Sequence, residues 1–243
     1  MMRRSKENLL EALKGGLIVS CQVKTDDPLY MDGIVAKLVQ CAIWGGAKGL
    51  RLNEPQNIAS VRGMTDLPII GLWKVHSKES SVFITPSLLH VEAVLEAGAD
   101  IVAVDATDRI NAYGEKAYEI IAKIRKKLGN IPILADVRNG EEARNALLLG
   151  ADLVAPTLYR FGENPKSTEE PDFDELALML EQCKDLGPVV MEGKINTPEQ
   201  AVECLYMGAH AVVVGSAITR PHLTALRFVN RIEKRISKMP LLY

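Results

Sequence analysis

Four times along the chain a glycine-alanine pair is followed at once by an apolar run: "GGAKGLRLN", "EAGADIVAVDAT", "LLGADLVAPTL" and "YMGAHAVVVGSAI". The pairs begin at Gly46, Gly98, Gly150 and Gly208, so they return every 52 to 58 residues. A glycine just ahead of a strand is the usual end of a helix, because the left-handed turn that stops a helix favours a residue without Cβ. Its return at a near-constant period points to a repeated unit. One such turn for every two strand-helix units predicts eight strands.

Four further apolar runs lie between these: "GLIVSCQ" (16–22), "LPIIGLWK" (67–74), "IPILADV" (131–137) and "GPVVMEG" (187–193). Helical patterns such as "SLLHVEAVLEAG", "KAYEIIAKIRKKLG" and "PDFDELALMLEQCKDLG" fill the gaps. Strands that are apolar throughout and alternate with helices belong to a parallel sheet covered on its outer face. A chain of 243 residues with 47% hydrophobic content matches one α/β domain, residues 1–243, folded as a (β/α)8 TIM barrel. An open doubly wound sheet is the alternative, but no G-x-G-x-x-G follows the first strand. The start, "MMRRSKENLLEALKGG", reads as a short amphipathic helix, because Glu7, Glu11 and Lys14 interrupt the apolar core that a signal peptide needs.

Charge and cysteines narrow the partners. Lys plus Arg number 29 against 31 Asp plus Glu, a formal charge of −2, so no bulk field favours nucleic acid or anionic lipid. No run approaches the roughly 18 apolar residues of a membrane span. The four cysteines (Cys21, Cys41, Cys183, Cys204) are scattered, and neither they nor the histidines stand at metal-ligand spacing, which argues against a zinc site or a disulfide framework and for a reduced cytoplasm. The expected partners are a small molecule and a second copy of the chain, as a homodimer.

In such a barrel the active site forms at the carboxyl ends of the strands. Those ends are polar here: Gln22, then Arg51 and Asn53, Lys74, Asp105 and Thr107, Asp136, Thr157, and Glu192. Alternation along a strand puts Lys74 on one face with Leu72 and Ile70, and Glu192 with Val190. If those faces point inward, the charges converge over one core. A ring of mixed charges is tolerated where the groups pair with each other or with a ligand. Lys74 and Glu192 are the candidate proton carriers, the lysine serving as base or as Schiff-base nucleophile. Lys194 is the competing partner for Glu192. In the turns after strands seven and eight, Gly193, Gly215, Ser216 and a helix opening near Arg220-Pro221 suit a phosphate ester. The polar insert 159–171 reads as a lid or a solvated loop, "RKK" (125–127) as a solvated helix end, and Cys21 and Trp73 as outward or core residues.

These residues resemble the bacterial N-acetylmannosamine-6-phosphate 2-epimerases, barrel enzymes of amino-sugar and sialic acid catabolism. The phrases that carry the resemblance are "LIVSCQ", "GGAKGLRLN", "PIIGLWK", "ITPSLLHVEAVLEAGADIVAVDAT", "ILADV", "GADLVAPTL", "PVVMEGKINTPEQA" and "GAHAVVVGSAITRP". It implies cofactor-independent epimerisation at carbon two of an open-chain 2-acylamino-sugar phosphate. It places the proton-transfer pair on Lys74 and Glu192, the sugar contacts on Gln22, Arg51 and Asp136, and the phosphate clamp on Gly193, Gly215, Ser216 and Arg220. The chain departs from the family pattern at "DRINAYG" after "DAT", at "YRFG" after "TL", at Arg138 and at Lys194. A Schiff-base aldolase using Lys74 and a sugar-phosphate-binding barrel without turnover are the alternative functions.

Overall fold

The computed structural model describes residues 4–159 and 170–236. Eight parallel strands, β1 (Leu17–Cys21), β2 (Gly49–Asn53), β3 (Ile69–Leu72), β4 (Ile101–Asp105), β5 (Ile133–Asp136), β6 (Leu153–Ala155), β7 (Val190–Glu192) and β8 (Ala211–Val214), form one sheet. Seven helices fill the connections: α2 (Ile34–Trp44), α3 (Pro55–Arg62), α4 (Leu88–Glu96), α5 (Glu119–Leu128), α6 (Gly140–Leu148), α7 (Phe173–Cys183) and α8 (Pro198–Met207). Helix α1 (Lys6–Leu13) precedes β1, while α9 (Ser216–Thr219) and α10 (Pro221–Ile236) follow β8. Strands β1 to β5 each pair with the next in sequence, β7 pairs with β8, and β1 pairs with β8. A bridge between Val154 and Val189 joins β6 to β7 and closes the ring as a TIM barrel.

The glycine-alanine repeat is the device that ends every second helix. Gly46, Gly98, Gly150 and Gly208 all have positive φ, between 83° and 114°. The N–H of each following alanine reaches five residues back, as from Ala47 to Ala42 O (3.0 Å) and from Ala209 to Cys204 O (3.0 Å). This is the Schellman closure of a helix. The four alanines are buried, so each turn also seats the start of the next strand.

Strand alternation sorts the core into two shells. Outward residues such as Val19, Cys21, Leu50, Val102, Ile133, Val154 and Val212 pack under the helices. Inward residues Ile18, Ile70, Leu72, Ile101, Leu134, Leu153, Val190 and Val213 fill the barrel, joined from below by Leu9 and Leu13 of α1. That inner set contains the two-residue partners of Lys74 and Glu192, as strand parity requires. Trp73 packs against the outer shell and meets His90 edge-on at 5.1 Å.

One feature differs from the sequence expectation and a second goes beyond it. The run 125–127 is not simply solvated. Arg125 turns back to the Gly150 carbonyl (2.9 Å) and to Asp152 (2.6 Å), and Lys127 pairs with Glu92 (2.6 Å). The connection after β3 is an antiparallel ribbon in which Lys74 bridges Ile84 and Thr85 N donates to Trp73 O (2.8 Å). Ile84 joins the inner core, and its carbonyl accepts from Asp105 N (3.0 Å). The ribbon thus takes a sheet position between the upper ends of β3 and β4. Most of the proposed lid at 159–171 lies outside the described residues.

Candidate active site

The site grows from the layer above the inner core, one inward step further along each strand. On β2 this step is Arg51, whose side chain is 1% exposed although it carries a full charge. Burial of an unpaired guanidinium is costly, so its partners decide whether it is tolerated. Nη2 pairs with Asp136 on β5 at 2.6 Å, and Nη1 pairs with Glu192 on β7. Thr157, just past β6, lies between them: its hydroxyl donates to Asp136 Oδ1 (2.5 Å) and accepts from Arg51 Nη1 (3.3 Å). One cation therefore ties together two carboxylates from separate strands. Burial alone would favour losing the proton, but Asp136 and Glu192 more than offset it and hold Arg51 charged.

Lys74 stands beside this group at the end of β3. Its backbone N–H donates to Asn53 Oδ1 (2.8 Å), which fixes the strand end, and its Nζ donates to Gln22 Oε1 (2.6 Å). Gln22 is held in turn by its Nε2 donating to Ser20 Oγ (3.0 Å). The amine is pulled down to about 8, first by burial and then by the Arg51 charge, with Glu192 and Asp136 opposing. Glu192 is shifted the other way: burial and the neighbouring Asp136 raise it, partly offset by Arg51 and Lys74. A lysine depressed and a carboxyl raised within one cluster is the pattern of groups poised to exchange protons. Lys194 is not the partner of Glu192; Arg51 fills that place, and Lys194 is exposed with φ +58°.

At the β7–β8–β1 corner stand the residues expected to hold an anion. Gly193 has φ +122°, and no atom lies within 4 Å of where its Cβ would sit. Gly215 directly precedes α9, which opens at Ser216. Thr219 Oγ1 straps α9 to the Ser20 carbonyl (3.1 Å). Arg220 lies between α9 and α10 with its Nε 3.4 Å from Asp27 Oδ2. A cleft of about 720 Å³ at the opposite end of the barrel, lined among others by Lys14, Lys184 and His210, is remote from all these groups.

Strand-end reading located Gln22, Arg51, Lys74, Asp136 and Glu192 in one cluster. It did not find how they are held: Ser20 under Gln22, Asn53 under Lys74, and Thr157 between Arg51 and Asp136. It also missed Arg109. Asp105, pushed up to about 6 chiefly by burial, is capped by Thr107 and paired with Arg109, whose Nη1 reaches the Ser81 carbonyl (2.9 Å). Arg138 pairs with Glu142 (2.6 Å) and with Asp108. Asp108 and Arg109 of the departing "DRINAYG" segment and the departing Arg138 are thus cross-tied beside the mouth, while "YRFG" beyond Tyr159 lies outside the described residues.

A parallel barrel whose carboxyl rim gathers an amine, a guanidinium and two carboxyls has the site architecture of the TIM-barrel enzymes. Residues 35–234 match the family model described as "Putative N-acetylmannosamine-6-phosphate epimerase", and the chain belongs to that family. It is 41% identical over 225 residues to a Listeria welshimeri protein named "Putative N-acetylmannosamine-6-phosphate 2-epimerase", covering 92% of this chain and 95% of that one. A Caldanaerobacter subterraneus protein of the same name is 39% identical over 228 residues, covering 94% and 95%. The solved N-acetylmannosamine-6-phosphate 2-epimerase of Clostridium perfringens superposes with a TM-score of 0.86 at 33% identity, covering 95% of this chain and 99% of that one.

Proposed function

We propose that this chain interconverts N-acyl-D-mannosamine 6-phosphate and N-acyl-D-glucosamine 6-phosphate by moving the proton on carbon two, in amino-sugar and sialic acid catabolism. The observation that carries the reading is the Lys74 amine, depressed to about 8 and held by Gln22 at the edge of the Arg51–Asp136–Glu192 group. In the open-chain sugar the carbon-two hydrogen is acidified by the adjacent aldehyde. Lys74 in its neutral form takes that proton, and the electron pair moves onto the aldehyde oxygen as an enolate. Arg51 and Gln22 stabilise the developing negative charge by hydrogen bonding in a site already oriented for it. Return of a proton to the opposite face inverts the centre, and Glu192, raised by burial, is the group suited to deliver it. At that point Lys74 holds the proton taken and Glu192 lacks the one given; passage of a proton from the ammonium to the carboxylate, directly or through water, resets both groups, so the reaction consumes no cofactor. Gly193, Gly215, Ser216 and Arg220 hold the phosphate.

Proton NMR of the purified protein with N-acetylmannosamine 6-phosphate in heavy water tests this directly. The expected result is conversion to the gluco epimer with deuterium entering at carbon two. No exchange and no conversion would leave a binding barrel, and a borohydride-trapped adduct on Lys74 would favour the aldolase reading.

The same proposal takes the whole chain as one domain, working in the cytoplasm as a homodimer. Among the described residues no helix is long and apolar enough to cross a membrane. Cys21, Cys41, Cys183 and Cys204 are all free thiols, which suits a reducing compartment. Helix α10 supports a second copy: Leu226, Phe228, Val229 and Ile232 lie along it 48 to 68% exposed, and its main contact within the chain is the short α9. Trp44 of α2 (92%) and Tyr206 of α8 (85%) add exposed apolar surface.

A further inference from the structure

We propose that Asp27 is a positioning residue for the phosphate end of the site: its carboxylate grips Arg220 by Nε and so presents the two terminal nitrogens of that arginine as a preset fork. This rests on the functional reading above, in which Arg220 meets the phosphate. Asp27 lies in the connection from β1 to α2, on a loop that the strand-end reading passed over.

The carboxylate is itself held in place. Oδ1 accepts from Leu29 N (3.0 Å), two residues on, and the same turn is closed by Asp27 N to Lys24 O (3.1 Å) and Tyr30 N to Asp27 O (2.8 Å). A side chain that caps its own turn has little rotamer freedom left. The other oxygen, Oδ2, therefore points in one direction, and there it faces Arg220 Nε at 3.4 Å and His222 Nε2 at 3.7 Å. The Asp27 side chain is only 4% exposed, so its end of the contact is screened less by salt than a surface carboxylate would be.

Arg220 is anchored from the other side as well. Its backbone carbonyl accepts from Leu223 N (3.0 Å) and Thr224 N (3.1 Å), while Thr219 Oγ1 fixes the preceding turn on the Gly215 (3.0 Å) and Ser20 carbonyls. Among the described residues its Nη1 and Nη2 have no partner, and the side chain remains 21% exposed. A planar guanidinium ion-paired through Nε and open at both Nη atoms matches two oxygens of a phosphate group. An arginine left free would have to order its long side chain on each encounter with substrate. Asp27 is negatively charged and would repel a phosphate that came close to it. Its buried oxygen lies on the Nε side of Arg220, opposite the fork, so ordering of the arginine outweighs that repulsion.

The test compares the full-length wild type with Asp27→Asn, which keeps Oδ1 as the turn acceptor and removes the charge. Expected are a melting temperature close to wild type and a KM for N-acetylmannosamine 6-phosphate raised about tenfold with kcat little changed. In an Arg220→Gln background the same change adds no further loss, the signature of a residue that acts through Arg220. An unchanged or lowered KM, or losses that add in the double variant, would overturn the role. If the wild type shows no turnover at all, the functional reading fails instead. Calorimetric titration of both proteins with inorganic phosphate then decides Asp27 alone: weaker binding by Asp27→Asn supports it, and equal or tighter binding refutes it.

Discussion

The two ends of the barrel are built from the same eight strands and do opposite things. At the lower end, α1 sends Leu9 and Leu13 into the inner apolar core with Ile18, Ile70 and Ile101. At the upper end the same inward faces carry Arg51, Asp136, Glu192 and Lys74. On β2 the change takes one inward step: a Cβ on Gly49 would lie 2.4 Å from Leu13, and two residues on stands Arg51. On β5 the step runs from Leu134 to Asp136, and on β7 from Val190 to Glu192. Two residues of strand span about 7 Å. Stability and chemistry are therefore separated by one layer, and the apolar layers below are what allow the charged layer above to be dry.

That contrast can be broken at either end. The largest effect is expected from Lys74→Met, which removes the proposed base without adding a charge. Turnover should fall by about 10²- to 10⁴-fold in a coupled or NMR assay while the protein melts no earlier than wild type. Retention of activity would end the mechanism.

Arg51→Met strips the one cation from between Asp136 and Glu192, which are left buried and uncompensated. Denaturant titration should show a loss of about 3–5 kcal/mol, and activity should fall as well. Leu13→Ala at the lower end should cost about 2–5 kcal/mol by opening a cavity under the core, with kcat and KM measured on the folded protein unchanged. If Leu13→Ala altered kcat, the two ends would not be independent.

The smallest effect is in pH. Because the Lys74 amine titrates near 8, kcat/KM in the direction where it accepts the proton should rise about tenfold per unit below that value and level above it. Stability carries the same signature. Between about 8 and 10.5 the unfolded lysine still holds a proton that the folded one has lost, so the unfolded state binds more protons and stability rises with pH. Wild type should gain on Lys74→Met across that window, as followed by melting temperature.

Much of this architecture was legible because it is written in short-range rules. The glycine-alanine turns are local: a positive φ at Gly98 or Gly150 and an N–H reaching back into the same helix involve fewer than ten residues. That Lys74 shares a face with Leu72 and Ile70, and Glu192 with Val190, followed from strand parity, because alternation leaves only two faces; the folded barrel is what turned that face inward. Arg125 was misjudged for the converse reason. Nothing near it in sequence announces that its guanidinium meets Gly150 and Asp152 across a helix-strand junction.

The residue types at the strand ends, the eight-strand count and the family resemblance are properties of the chain read in order, and they were determined before any folding was considered. Which charge meets which was not. Arg51 meets Glu192 over a separation of 141 residues, Lys74 meets Gln22 over 52, and Arg220 meets Asp27 across the closure of the barrel. Such pairs depend on the tilt, stagger and closure of the whole sheet, so only the folded barrel chooses them. From the sequence, Lys74 and Lys194 were the partners in view for Glu192, and Arg51 was not. Tertiary structure put the guanidinium inside the mouth, between the two carboxylates, and left the Lys194 ammonium in water.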